Sequence, residues 1–133
     1  FDGCMPGRAA YFRVSITDEQ GRCWPMAGVL EGEAVPTSRL SRFGYITLTA
    51  QTDGLLGPAG SQLPAHEFHY WESSAPGTAF HAQKPQSQRS WDCAFHSRTL
   101  YAGFPHFHFC AAPQAAARFV EACAHFQRER KEV

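Results

Sequence analysis

Strong net charge, long apolar runs and patterned cysteines are all missing from this sequence, and each absence closes off a class of function. Lys plus Arg and Asp plus Glu stand at 12 each, a formal net charge of +0. The chain therefore has no field to hold nucleic acid or an anionic membrane. No run approaches the ~18 apolar residues of a membrane span, and no signal peptide is recognisable. The five cysteines (Cys4, Cys23, Cys93, Cys110 and Cys123) stand singly, without CxxC spacing. That odd, unpatterned set argues against a disulfide framework and a Cys-rich zinc site. A reducing, cytoplasmic setting is the expected one. No G-x-x-x-x-G-K-S/T loop occurs, so a phosphate cradle of that kind is lacking. Internal repeats and low-complexity tracts are absent too. The sequence opens on Phe1 rather than Met, and a trimmed product or a fragment is expected.

What remains is the material of one domain or a piece of one: 133 residues, 44% hydrophobic, with 11 Phe. A chain of that size buries roughly two-thirds of its unfolded surface, enough for a single core. Residues 10–16 are aromatic and β-branched and read as a strand or the end of a helix. Asp18-Glu19-Gln20-Gly21 reads as a turn, followed by a short apolar run at 26–30. Over 43–50, Tyr45, Thr47 and Thr49 alternate with Ile46 and Leu48, the period of a strand. Glycines and a proline over 54–60 predict a loop, and residues 67–71 a further strand. Residues 73–90, rich in Ser, Pro, Gln and Gly, predict a long loop with room for one short strand. Residues 99–109 predict another apolar, strand-like segment. Pro113 suits the first turn of a helix, where its missing N–H costs nothing. Ala116, Phe119, Val120, Cys123 and Phe126 then share one helical face, which predicts a helix over about 113–130.

Two clusters stand out among the seven histidines: His66-Glu67-Phe68-His69-Tyr70 and His106-Phe107-His108-Phe109. On a strand, alternate side chains share a face. Glu67 and His69 would then point one way, and His66, Phe68 and Tyr70 the other. In the second box His106 and His108 would line a cleft or solvent, while Phe107 and Phe109 enter the core. Three readings stay open at this point. The histidines are packed or surface residues with satisfied hydrogen bonds; or they bind a metal, as an H-x-H pair can; or one is an acid–base group paired with a nucleophile. Cys4 is the natural nucleophile, because it precedes Pro6-Gly7, where a strand could turn into a helix whose N-terminus favours a thiolate.

The order of these boxes resembles a known family. Residues 15–22, followed by Trp24-Pro25-Met26-Ala27-Gly28-Val29-Leu30, are similar to the segment after the nucleophile in cobyrinic acid a,c-diamide synthases. Gly44-Tyr45 is similar to their next strand. Ala65-His66-Glu67-Phe68-His69-Tyr70 resembles their G-H-E-F-H-Y-S box, and residues 102–109 their A-S-Y-V-H-L-H-F strand. Pro113 and Arg118-Phe119-Val120 fit the closing helix.

The resemblance implies the C-terminal part of a class I-type glutamine amidotransferase (glutaminase) domain, a single unit over 1–133, whole or truncated. The fold implied is a partial Rossmann-like α/β sheet, strand-rich, with the C-terminal helix at its end. An open sheet edge would favour a homodimer or a partner chain. By position, Cys4 becomes the nucleophile and His106 the base; His66, Glu67, His69 and His108 become substrate-facing or supporting groups, with no metal. Where many related glutaminases carry an acid two residues after the histidine, this chain has His108, so orientation of His106 would come from elsewhere, with Glu67 as one candidate. Glutamine is the expected substrate. No cofactor is expected in this chain, since ATP and magnesium would belong to a synthetase domain. The alternative is an inactive relative kept as a binding module, less readily a histidine-box metal protein. Cys4-Met5-Pro6-Gly7 replaces the family's cysteine followed by two glycines, and Pro6 has no N–H to offer an oxyanion.

Overall fold

The computed structural model describes Ala10 and residues 12–130. The principal sheet is antiparallel, in the order β5-β4-β7-β8. Its strands are β4 (Arg42–Ala50), β5 (Gln62–His69), β7 (Phe80–Gln83) and β8 (Ser90–Cys93). The second sheet, β2-β1-β3-β6, is mixed. It contains β1 (Arg13–Thr17), β2 (Cys23–Pro25), β3 (Leu30–Pro36) and β6 (Trp71–Ser73). There β1 and β3 run parallel, while β2 and β6 flank them antiparallel. A short pair, β9 (Phe95–His96) with β10 (Tyr101–Ala102), precedes the helix α1 (Pro113–Glu129). The chain is thus strand-rich α/β with one C-terminal helix. Among the described residues no helix is long and apolar enough to cross a membrane.

β4 follows its sequence pattern closely. Ile46, Leu48 and Ala50 are buried while Phe43 and Tyr45 face outward. Eight register pairs, from Arg42–His69 to Thr49–Gln62, fasten it to β5. β5 begins earlier than the 67–71 pattern predicts, and it takes in Pro64. Proline is tolerated in an edge strand, where its missing N–H leaves no ladder bond unmade. At Tyr70 the chain leaves the first sheet, and Trp71 starts β6 in the second. The core under the principal sheet gathers Ile46, Leu48, Leu63, Phe80 and Ala82 with Cys93. A smaller one unites Ala10, Ile16, Ala34 and Trp71. Full burial of one such side chain stabilises by about 1.5–3 kcal/mol.

Two expectations need correction. The 73–90 segment does contain a strand, but β7 is a central strand whose Phe80 and Ala82 are wholly buried. Its approach is set by Gly77, at φ +86°, where a Cβ would stand 2.2 Å from the Ala94 carbonyl oxygen. The 99–109 segment is not a continuous strand. It makes β10, bends at Gly103, touches β5 through a single bridge at His106, and closes in a 3-10 turn over Phe109–Ala111. Pro105 cannot donate to a ladder. The His108 side chain accepts from the Cys110 N–H instead, which starts the turn.

α1 matches the predicted span, with Pro113 in its first turn. Its apolar stripe is another matter, because Phe119, Val120 and Phe126 are all exposed and Ala115 is the buried residue.

Candidate active site

The first histidine box lies on β5, and the period of two divides it. Glu67 and His69 point into the core at 2% and 5% exposure. His66 and Phe68 point out beside Phe43 and Tyr45. The inner pair is anchored tightly. His69 Nδ1 lies 2.6 Å from the Trp71 carbonyl oxygen, a bond in which the ring nitrogen must donate. Phe104 stacks on the imidazole at 4.2 Å. His69 Nε2 then faces Glu67 Oε1 at 3.9 Å, beyond hydrogen-bond range. Among the described residues, Glu67 Oε2 and His69 Nε2 are buried without a hydrogen-bond partner. A buried carboxylate with an open oxygen is costly to maintain.

The Glu67 charge is felt across the core. The Cys93 thiol is pushed up to about 12, first by burial and then by Glu67. The Tyr101 hydroxyl is likewise made less acidic by burial, with Cys93 and Glu67 adding to it. Cys93 therefore stays a thiol at neutral pH and is a poor nucleophile. Cys23, Cys110 and Cys123 are exposed and free; Cys4 lies outside the described residues.

The second box meets the first through its backbone. The His66 N–H donates to the His106 carbonyl at 2.7 Å, and the His106 N–H donates back at 2.8 Å. Partners in such a mutual antiparallel pair project their side chains to the same side. His106 accordingly stands exposed on the outward face with His66, while Phe107 turns inward against the core. Partial desolvation of the ring holds His106 below the usual histidine value, helped by His66 and His69 and opposed by Glu67. It is poised as a neutral imidazole, able to accept a proton. His108 is exposed but turned into the 3-10 turn. Phe109 is exposed as well and packs on Phe107 and Phe119, so the expected pairing of His106 with His108 on one strand face does not form.

Some participants carried no signal of their own. Tyr101 donates to the Pro105 carbonyl at 3.0 Å and so ties down the loop that presents His106. Phe104 fixes His69, and Arg42, opposite His69 on β4, lies over the Trp91 ring at 4.1 Å. Among the described residues no three His, Cys, Asp or Glu side chains converge as a metal site. A cleft of about 490 Å³ lies elsewhere, between α1 and the 53–58 loop, and mixes Arg98 and Arg118 with Asp53 and Glu121.

The bridge thus sets one histidine of each box, His66 and His106, side by side on the outer face of the sheet. No family model matches the sequence, but curated relatives do. The chain is 30% identical over 125 residues to a cobyrinate a,c-diamide synthase of Caldanaerobacter subterraneus, covering 92% of this chain and 28% of that protein. It is 34% identical over 108 residues to the Fusobacterium nucleatum enzyme of the same name, covering 77% and 23%. A hydrogenobyrinate a,c-diamide synthase of Streptomyces coelicolor is 34% identical over 104 residues, covering 74% and 20%. The chain belongs to this a,c-diamide synthase family, and it spans about a quarter of the length of these relatives.

Proposed function

We propose that the chain is the glutaminase module of a cobyrinate diamide synthase-type amidotransferase, releasing ammonia from glutamine to amidate a corrin carboxylate in cobalamin biosynthesis. The observation that carries this reading is His106: a histidine of the family-like box, exposed, bridged to the other box and held toward its neutral form. In this reading the Cys4 thiolate attacks the side-chain amide carbon of glutamine. His106 takes the thiol proton and returns it to the departing nitrogen, so ammonia leaves and a thioester remains. Water, deprotonated by the same imidazole, then releases glutamate.

ATP and magnesium belong, in this reading, to a synthetase domain or partner chain, since this sequence carries no Walker-type phosphate loop. The intact unit is read as a Rossmann-like, class I amidotransferase sheet working in the cytoplasm. A second reading, an inactive relative acting as a binding module, is favoured by Cys4-Met5-Pro6-Gly7, which offers a side chain and an N–H-less proline where glycines would serve an oxyanion.

The separating experiment is incubation with the glutamine-mimicking electrophile diazo-oxo-norleucine, followed by intact mass and peptide mapping. The glutaminase reading expects one adduct on Cys4, suppressed by excess glutamine and lost in His106→Ala. No adduct, or equal labelling of all five cysteines, would mean that the glutaminase site is incomplete in this chain, which is then a binding module or a part that needs its partner.

A further inference from the structure

We propose that His66 is a positioning residue for His106, holding that imidazole in the neutral, proton-accepting form and in its outward direction. The inference rests on the glutaminase reading and adds a residue to it. Its first support is geometric. The paired bonds of 2.7 and 2.8 Å make His66 and His106 direct cross-strand partners, so their side chains leave the sheet on the same side. Its second support is that the His66 ring is not free to swing away. Tyr45 meets it edge-to-face at 5.1 Å and Phe43 at 5.6 Å. These two aromatic contacts wall the imidazole on its β4 side, which leaves the side toward His106.

Two imidazoles side by side cannot both take protons cheaply, because like charges on neighbouring cross-strand positions repel. A proton on either raises the cost of one on the other. The remaining charged and titratable groups around them sort by sign. At His106, His69 on β5 acts in the same direction as His66, and Glu67 on β5 acts in the opposite one. Cys93 on β8 and Tyr101 on β10 stay neutral, their acidities suppressed by burial. Arg42 on β4, opposite His69, is cationic and lies over Trp91. His108 follows His106 on its own segment and is engaged with the Cys110 N–H. Among the described residues, the group that favours imidazolium at His106 is therefore Glu67, on the opposite strand face.

The test is an NMR pH titration of the imidazole Cε1–H signals in the full chain, comparing wild type with His66→Gln, His66→Lys and Glu67→Gln. His66→Gln raises the His106 midpoint by about half a pH unit or more, the size expected of a unit charge ~6 Å away in high dielectric. His66→Lys, which places a fixed cation there, gives a low midpoint, and Glu67→Gln moves it the opposite way from His66→Gln. Because His66 is half-buried and outward, its two variants leave the core intact, and Glu67→Gln keeps the shape of the buried side chain it replaces. An His106 midpoint that does not move in His66→Gln, or that falls, overturns the inference. Labelling of Cys4 by diazo-oxo-norleucine across pH separates the two levels of the account. Labelling whose acid limb shifts upward in His66→Gln supports both. An unlabelled Cys4 with the predicted NMR shift removes the glutaminase reading but upholds the His66–His106 coupling. A labelled Cys4 with an unshifted acid limb removes His66 alone.

Discussion

The two faces of the β4–β5 ribbon are built from adjacent residues and behave as different materials. The inner face carries Leu48, Leu63 and Ala65 with Glu67 and His69, all buried. The outer face carries Phe43, Tyr45, His66 and Phe68, with Tyr45 at 76% exposure. The same residue type does opposite things on the two. His69 is tied to the Trp71 carbonyl and stacked by Phe104, while His66 stands among aromatic edges and bridges to His106. Inside, a polar group is fixed by protein contacts; outside, it is steadied and left available. A histidine-rich box is thus not one site but two, separated by the thickness of a sheet.

The contrast is most easily broken through stability. Leu48→Ala, on the inner face, is expected to cost about 2–5 kcal/mol by chemical denaturation. Tyr45→Ala, three residues away on the outer face, is expected to cost under about 1 kcal/mol. Comparable losses would mean that the outer face is also packed.

A smaller effect separates the thiols. Cys93, its thiol pushed up to about 12 by burial and by Glu67, is expected to stay unmodified by a disulfide reagent at pH 8. The exposed Cys23, Cys110 and Cys123 react there within minutes. Peptide mapping reads the difference, and prompt modification of Cys93 in the folded chain would show the inner face to be open.

The smallest expected effect lies away from both faces, in the turn after β1. Asp18 is held down to about 2 by the Trp24 indole N–H, then by the Arg22 backbone N–H. Its folded value is depressed, so its contribution is present above the unfolded value near ~3.9 and is lost as pH falls through about 2. Asp18→Asn should flatten that acid limb in a pH series of thermal melts; an unchanged limb would show that the turn does not supply it.

Much of this architecture was legible before any coordinates. The helix announced itself through Pro113 and a 3.6-residue stripe, and β4 through strict alternation over Ile46 and Leu48. The division of His66-Glu67-Phe68-His69 followed from the same period of two. What escaped depends on contacts between distant residues. β7 is four residues long and sits among Ser, Pro and Gln, so its central place arises from pairing with β4 and β8. The 99–109 stretch has strand composition, yet Pro105 and the His108 cap turn it out of the sheet after one bridge. Tyr101, Phe104 and Cys93 join the neighbourhood of Glu67 only because β9–β10 and β8 fold back upon it. The helical stripe was visible, but its exposure was not, because periodicity tells which residues share a face and not what covers it.

The most direct test of the two-sided box is carbethoxylation with diethylpyrocarbonate near pH 6.5, followed over time by peptide mapping. The account predicts that His66 and His106 are modified readily in the folded chain while His69 is protected until denaturant is added. Modification of His69 at the rate of His66 would contradict it, since both faces of β5 would then be open to solvent.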